Sequence, residues 1–417
     1  MQVILIEPLL KNQSGHQFSN TVALQSELLE RDIPVFILGN ISADQQCLKV
    51  KNFYPCLTEI TSDLFQNGFS LKNIFNAYNK IRLLGEQLDN FFQAQINLNS
   101  QKDYLFFLHS VYIFELLGFA LFFKKRKNIF IDNNHKAVVS FNFEFKRKPL
   151  FLKLIFSFLY KYLFSSLIKG ADSQIIYSSD GELLARDYEQ LMKKKVHVLP
   201  PPSSNKFLEA WLKKANINSD KEKKVISYLG GARFNKGFDI FVRLLGLLLK
   251  DEKISKSISI LAQVDIHRQQ SERDKKIMLE SAARLEDLSL EFKNIKLYFG
   301  ALSMDEYFGL LSESDIVVLP YRRQSFQSTP SGIFREAVYL RKLPIVAGNT
   351  AMSHELEGYG LADLAFNIED LEDCVHVIKK AVENFDNYQA KIENMRLAWS
   401  DYYSAGTLAD RLIDLAR

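Results

Sequence analysis

Two stretches of this chain put phosphate-binding residue types at loop mouths. In VISYLGGARFNKGFDIFVRLLGLLL (residues 225–249) an apolar strand runs into a glycine-containing loop, then Lys236 and Gly237, then a helix. In DIVVLPYRRQSFQSTPSGIFREAVYLRKLPIVA (residues 315–347) a strand too apolar to alternate leads through a polar loop to Ser331 and Gly332, which open a helix, and a second apolar strand follows. Continuous apolar strands belong to a parallel sheet covered on both faces. Strand, loop, helix and strand make a βαβ unit whose loop lies at the carboxyl end of the sheet, where open α/β sheets bind ligands. A helix start made of Ser and Gly offers free N–H groups and the positive end of a dipole to an anion. Glu336 lies one turn into that helix, too deep to meet a phosphate but placed to accept hydrogen bonds from sugar hydroxyls.

The elements that must position these residues are legible on either side. MQVILIEPLL is a strand and turn, FSNTVALQSELLERD an amphipathic helix, and IPVFILGN the next strand, with Ser14, Gly15 and His16 in the loop between. KDYLFFLHS reads as a strand ending in His109, and KNIFIDNNH as another ending in His135. ADSQIIYSSDGELLARDY reads as strand, turn and helix. The prolines of VHVLPPPSS mark the end of a first domain, residues 1–202, and residues 203–417 form the second. The tail AWSDYYSAGTLADRLIDLAR is helical.

Composition bounds the rest. A chain of 417 residues suits two domains of roughly 200 residues each. The net charge of +4 is too small to argue for nucleic acid. Cys47, Cys56 and Cys374 have no metal-binding spacing and no even pairing, which points to a reducing cytoplasm. The start lacks a basic region and a small-residue cleavage site, so no signal peptide is expected. The acidic run Glu369, Asp370, Glu372 and Asp373 reads as a solvated helix start rather than a metal site.

Three blocks in order resemble the GT-B glycosyltransferases, glycosyltransferase family 4 above all. The strand, small-residue turn and E-A helix of residues 315–347 resemble that family's donor-binding signature. The block at 225–249 resembles the opening of its second domain, with Lys236-Gly237 at the "K-G" position. IKLYFGALSMDEYFGLLSESD (residues 295–315) resembles the segment between them. The resemblance implies an α/β chain of GT-B architecture, two Rossmann-like domains facing each other across a deep cleft, with a C-terminal helix crossing back to the first. It implies a glycosyltransferase using a nucleotide-diphosphate sugar, retaining and metal-independent, with no cofactor besides that donor.

The roles carried over are then specific. Lys236 neutralises the leaving diphosphate. The family's arginine falls on Gly231, and Arg233 is the stand-in. Ser331, Gly332 and Ile333 present N–H groups to the phosphates, and Glu336 holds the ribose. Phe299 and Gly300 grip the base. Gly15 lets backbone approach the ligand, and His135 matches the family's histidine at the reacting centre. The family's first Glu is Ser328 here, so the donor sugar is left open.

The segment 119–170 stands apart. Lys124, Lys125, Arg126 and Lys127, and then Lys146, Arg147 and Lys148, flank the apolar run LFLKLIFSFLYKYLFSSLI (residues 150–168), which lysines interrupt. No run is long enough to span a bilayer. Basic residues beside Phe and Leu suit an interfacial helix on an anionic membrane. The expected partners are therefore a nucleotide-sugar donor, a lipid-linked or cell-surface glycan acceptor and the inner face of a membrane, with no nucleic acid. Two other readings stand beside this one: a soluble transferase acting on a small acceptor, and an inactive sugar-nucleotide-binding or scaffold protein, which the residues at 231 and 328 favour.

Overall fold

The computed structural model describes residues 1–12, 16–58, 71–96, 102–141, 150–202, 206–214, 223–266, 271–329 and 331–417. The chain divides into two compact units, Met1–Pro202 with Ala405–Arg417, and Ser203–Ser404.

The first unit is built on seven strands: β1 (Gln2–Ile6), β2 (Val35–Asn40), β3 (Phe53–Leu57), β4 (Tyr104–Val111), β5 (Lys136–Phe141), β6 (Ile175–Ser179) and β7 (Val196–Val198). Their order is β3-β2-β1-β4-β5-β6-β7, and every pairing is parallel. The order reverses at β1, which pairs with β2 on one side (Val3 opposite Val35) and β4 on the other (Val3 opposite Leu105). Val3, Ile4, Leu105 and Phe106 are wholly buried, as strands covered on both faces must be. The helix Ala405–Ala416 packs on the helix His16–Glu30. Arg31, which follows that helix, pairs with Asp410 and donates to the Gly406 carbonyl at 3.1 Å.

The second unit repeats the plan with β8 (Lys224–Tyr228), β9 (Ile258–Val264), β10 (Ile295–Phe299), β11 (Ile316–Leu319), β12 (Leu343–Ala347) and β13 (Ala365–Phe366). The order is β10-β9-β8-β11-β12-β13, again all parallel, and it reverses between β8 and β11. The loops after β8 and β11 therefore flank a topological switch point, the place where such sheets take ligands.

One expected element is different. KNIFIDNNH is not a strand: the helix Ile113–Asp132 runs through it, Asn133 caps the helix, and Asn134 turns at φ 51°. That helix buries Phe114, Phe119, Phe122, Phe123 and Phe130, so its apolar residues do not keep to one stripe and helical period is hard to see.

The run 150–168 is a helix, Leu150–Phe158, continued by a π-helical turn, Leu159–Phe164, and a last turn, Ser165–Leu167. Tyr160, Phe164 and Ile168 are buried in the core, whereas Leu154, Phe158 and Tyr162 are more than half exposed. From Leu154 onward the segment is thus core on one side and open on the other. Lys146, Arg147 and Lys148 lie outside the described residues. No helix among the described residues is long and apolar enough to cross a membrane.

Candidate functional site

The loop after β8 is shaped by glycines at the two positions where another chain segment comes close. Gly230 has φ +93°, and a Cβ there would lie 2.6 Å from Ile333 Cδ1 and 3.3 Å from Lys236 Nζ. Gly237 has φ +67°, and its Cβ would lie 1.9 Å from the Pro320 carbonyl oxygen. Both conformations are left-handed, where glycine alone is at ease. Their absence of side chains lets the Lys236 loop lie against the strand exit of β11 and the helix Gly332–Tyr339.

This packing collects charge. Lys236 Nζ stands 5.4 Å from the centre of the Tyr321 ring and makes no ion pair among the described residues. Burial, and then the neighbouring Arg233 guanidinium, push the Lys236 ammonium down to about 7, against the pull of Glu336 and Asp265. Arg233 folds back over Gly231, where a Cβ would lie 3.5 Å from Arg233 Nε. That Nε is buried and makes no hydrogen bond. Two cations held together, one of them with a buried unbonded N–H, are arranged for an anion.

Across the switch point, Ser331 caps the helix Gly332–Tyr339 and accepts from the Phe334 N–H at 3.3 Å. The first N–H groups of the helix, from Gly332 and Ile333, have no intrahelical acceptor and face the start of the helix. Glu336 is 6% exposed and accepts a hydrogen bond from the Tyr307 hydroxyl at 2.7 Å. Burial, then the Glu336 charge, raises the Tyr307 phenol well above its ordinary range, so Tyr307 stays a donor. Ser328, read from the sequence as a departure from the resembled family's first Glu, is buried.

Gln263 at the end of β9 ties the site together. Its Oε1 accepts from the Gly230 N–H at 2.8 Å and its Nε2 donates to the Gly300 carbonyl at 2.9 Å. Gly300 turns at φ +80° just after Phe299, whose ring is 61% exposed and so is not a core residue. The structure therefore brings Arg233, Lys236, Gly332, Ile333 and Glu336 to one sheet end, with Phe299 and Gly300 at the neighbouring strand exit. Tyr307, Gln263 and Asp265 join them. No motif marked these three, because each acts through a partner distant in sequence.

The first unit differs from expectation. Gly15 and Ser14 lie outside the described residues. His135 does not end a strand: it precedes β5, at the amino end of the sheet. It is fully buried, accepts from the Tyr104 N–H at 3.4 Å, and packs edge-on against Tyr104 and Phe130. A residue at that end is remote from the carboxyl edge where ligands bind, so His135 is a core histidine.

The carboxyl edge carries another histidine. His109 near the end of β4 bonds Glu7, just after β1, at 3.0 Å through Nδ1. Its Nε2 lies 4.0 Å from Asp180, just after β6. Ser140 on β5 donates to Asp180 at 3.3 Å. Burial alone would lower His109, but the Glu7 charge and hydrogen bond, with Asp180, carry it up to about 9. Burial in turn raises the Glu7 carboxyl. Four adjacent strands thus contribute one buried, charged cluster beside the switch point, next to a small concavity lined by Asn20, Thr21 and Pro202.

No family model and no curated protein matches the sequence. Solved structures match over its whole length. A UDP-forming α,α-trehalose-phosphate synthase from Burkholderia xenovorans, in complex with glucose-6-phosphate, is similar with a TM-score of 0.71 at 10% identity, covering 100% of both chains. The corresponding enzyme from Burkholderia vietnamiensis gives 0.70 at 11% identity, over 100% of this chain and 99% of that one. A trehalose-6-phosphate protein from E. coli bound with UDP-2-fluoro glucose gives 0.70 at 12%, with the same coverage. At such identities the likeness is one of fold: the chain is an α/β protein of the GT-B fold, with two Rossmann-like parallel-sheet domains.

Proposed function

We propose that the protein is a glycosyltransferase that binds a nucleotide-diphosphate sugar at the carboxyl edge of its second unit and passes the sugar to a small soluble acceptor. The observation that carries this is the Arg233–Lys236 pair, two cations that make no ion pair with a carboxylate among the described residues, set against the N–H groups of Gly332 and Ile333. Such a surface matches a diphosphate, and it stabilises one best when charge develops on the leaving oxygen. Glu336, oriented by Tyr307, takes the ribose hydroxyls, and Phe299 meets the base. Arg233, Lys236 and the helix end supply the positive charge for departure of the nucleoside diphosphate, so transfer runs without a metal. The similar proteins support a small acceptor: they are named as UDP-forming synthases, and one was solved with glucose-6-phosphate.

A thermal-shift panel of UDP-, GDP- and ADP-sugars identifies the donor, since a ligand bound to the native state alone stabilises by RT ln(1 + [L]/Kd). Assays of nucleotide release with free sugars and sugar phosphates then identify the acceptor. Release that persists in EDTA supports the metal-independent route, and loss restored by Mg²⁺ or Mn²⁺ refutes it. Donor binding with neither transfer nor hydrolysis would make the protein an inactive sugar-nucleotide binder.

A peripheral-membrane role with a lipid-linked acceptor is the second reading. One observation favours it: Leu154, Phe158 and Tyr162, spaced four apart, form an exposed apolar ridge with exposed Lys161 beside Tyr162. Exposed apolar surface next to cations suits an anionic interface. Salt-sensitive sedimentation with phosphatidylglycerol vesicles, lost in a Leu154→Ser, Phe158→Ser variant, supports this reading. Absence of sedimentation at low salt leaves the small acceptor alone.

A further inference from the structure

One side chain joins the two loops of the candidate donor site. Arg322, in the loop after β11, donates from Nη1 and Nη2 to Asp239 Oδ1 and Oδ2 at 2.9 and 2.8 Å. This is the two-bond fork that suits a guanidinium and a carboxylate. Nη1 also donates to the Phe234 carbonyl, and the guanidinium lies 3.6 Å from the centre of the Phe234 ring. The Arg322 N–H donates to the Asn235 carbonyl at 2.9 Å. Residues 234, 235 and 239 are thereby held on both sides of Lys236. The pair is 20% and 12% exposed, so water competes poorly for it.

We infer that Arg322 and Asp239 are positioning residues for nucleotide binding: they lock the Lys236 loop to the loop after β11, so that the diphosphate meets one preformed surface. This rests on the donor reading above. Neither residue needs to touch the ligand. The two-bond fork and the stacking fix an orientation that a single long cation could not, and a charge placed before binding costs no reorganisation at the moment of transfer. The clamp also keeps Lys236 beside Arg233. Cutting it lets the loop move away and relieves the repulsion between the two cations.

The test uses the full chain with Arg322→Gln and Arg322→Lys. Lys236 is titrated by ¹³C NMR of the reductively methylated protein, with Lys236→Arg used to assign the signal. UDP and GDP affinities are measured by calorimetry. The expected result for Arg322→Gln is a rise of the Lys236 midpoint by about one pH unit or more, and nucleotide binding about tenfold weaker. Arg322→Lys recovers part of both, because it keeps the charge. A folded Arg322→Gln protein with the wild-type Lys236 midpoint overturns the inference. If that variant does not fold, Arg322→Lys decides: wild-type behaviour in both measurements overturns it. If the wild type binds neither nucleotide, the donor reading fails, and the Lys236 midpoint still decides whether the clamp positions the loop.

Discussion

Lys236 and Arg233 repel each other, and the cost is visible in the Lys236 ammonium, which burial and Arg233 bring down to about 7. A bound diphosphate would reverse that balance and raise Lys236 again. Below pH 7 Lys236 is already protonated and binding needs no proton. Above pH 7 binding must take one up, so nucleotide affinity falls as pH rises from 7. Calorimetry at pH 8.5 in buffers of different ionisation enthalpy should show proton uptake that is smaller at pH 6.5. Lys236→Met should abolish that difference and weaken binding by about tenfold or more, as expected when a hydrogen bond from a charged group is lost. Equal proton uptake in the variant would assign the proton elsewhere. The His109 imidazole is shifted the other way, upward. Its folded value, about 9, lies above the ordinary 6.5, so its stabilisation is fully present below pH 6.5 and lost as pH rises through 9. His109→Gln leaves Glu7 and Asp180 without the cation between them. It should therefore lower the melting temperature more at pH 6 than at pH 9.5, and an equal loss at both would mean that the ring acts by packing alone.

Between residues, the elements set what can approach what. Gly237 shows it most sharply: its φ is +67°, and a Cβ added there would lie only 1.9 Å from the Pro320 carbonyl oxygen. Gly237→Ala should cost more than the ~1–2 kcal/mol of a left-handed residue alone, because backbone must also move. Urea unfolding measures this, and a loss within 1–2 kcal/mol would mean that the loop yields easily. The same elements explain what the sequence could tell. Strands β1, β2, β8, β11 and β12 were readable because they are mostly apolar runs bounded by turn residues, and Ser331 and Gly332 announced their helix by their own capping chemistry. The helix Ile113–Asp132 was not readable, since a helix apolar on several sides loses its period. That one error carried His135 from the amino end of β5 to an imagined strand exit. Glu7 was missed for another reason: its partner His109 is 102 residues away, and only the parallel neighbours β1 and β4 bring them together. Arg322 and Asp239, 83 residues apart, were hidden in the same way.

At the scale of the whole chain, the hydrophobic cores keep to their units. One cluster runs from Ile226 to Tyr403 and lies wholly in the second unit. The two others lie in the first, one of them completed by Leu408, Ala409 and Leu412 of the C-terminal helix. Separate cores allow separate unfolding transitions, and then a single midpoint does not describe the molecule. The two tryptophans provide the means to see this, because Trp211 and Trp399 both belong to the second unit. Their fluorescence reports that unit, whereas far-ultraviolet circular dichroism reports both. A nucleotide bound at Lys236 and Glu336 stabilises its own unit by about 2.7 kcal/mol at a hundredfold excess over Kd. For a unit of about 200 residues that is a rise of about 5–10 °C. The tryptophan-detected midpoint should rise by that amount with UDP or GDP, while a second transition seen by circular dichroism stays in place. Equal shifts in both signals would show that the units unfold as one. A shift of the circular dichroism signal alone would put the nucleotide in the first unit and remove Lys236 from the site.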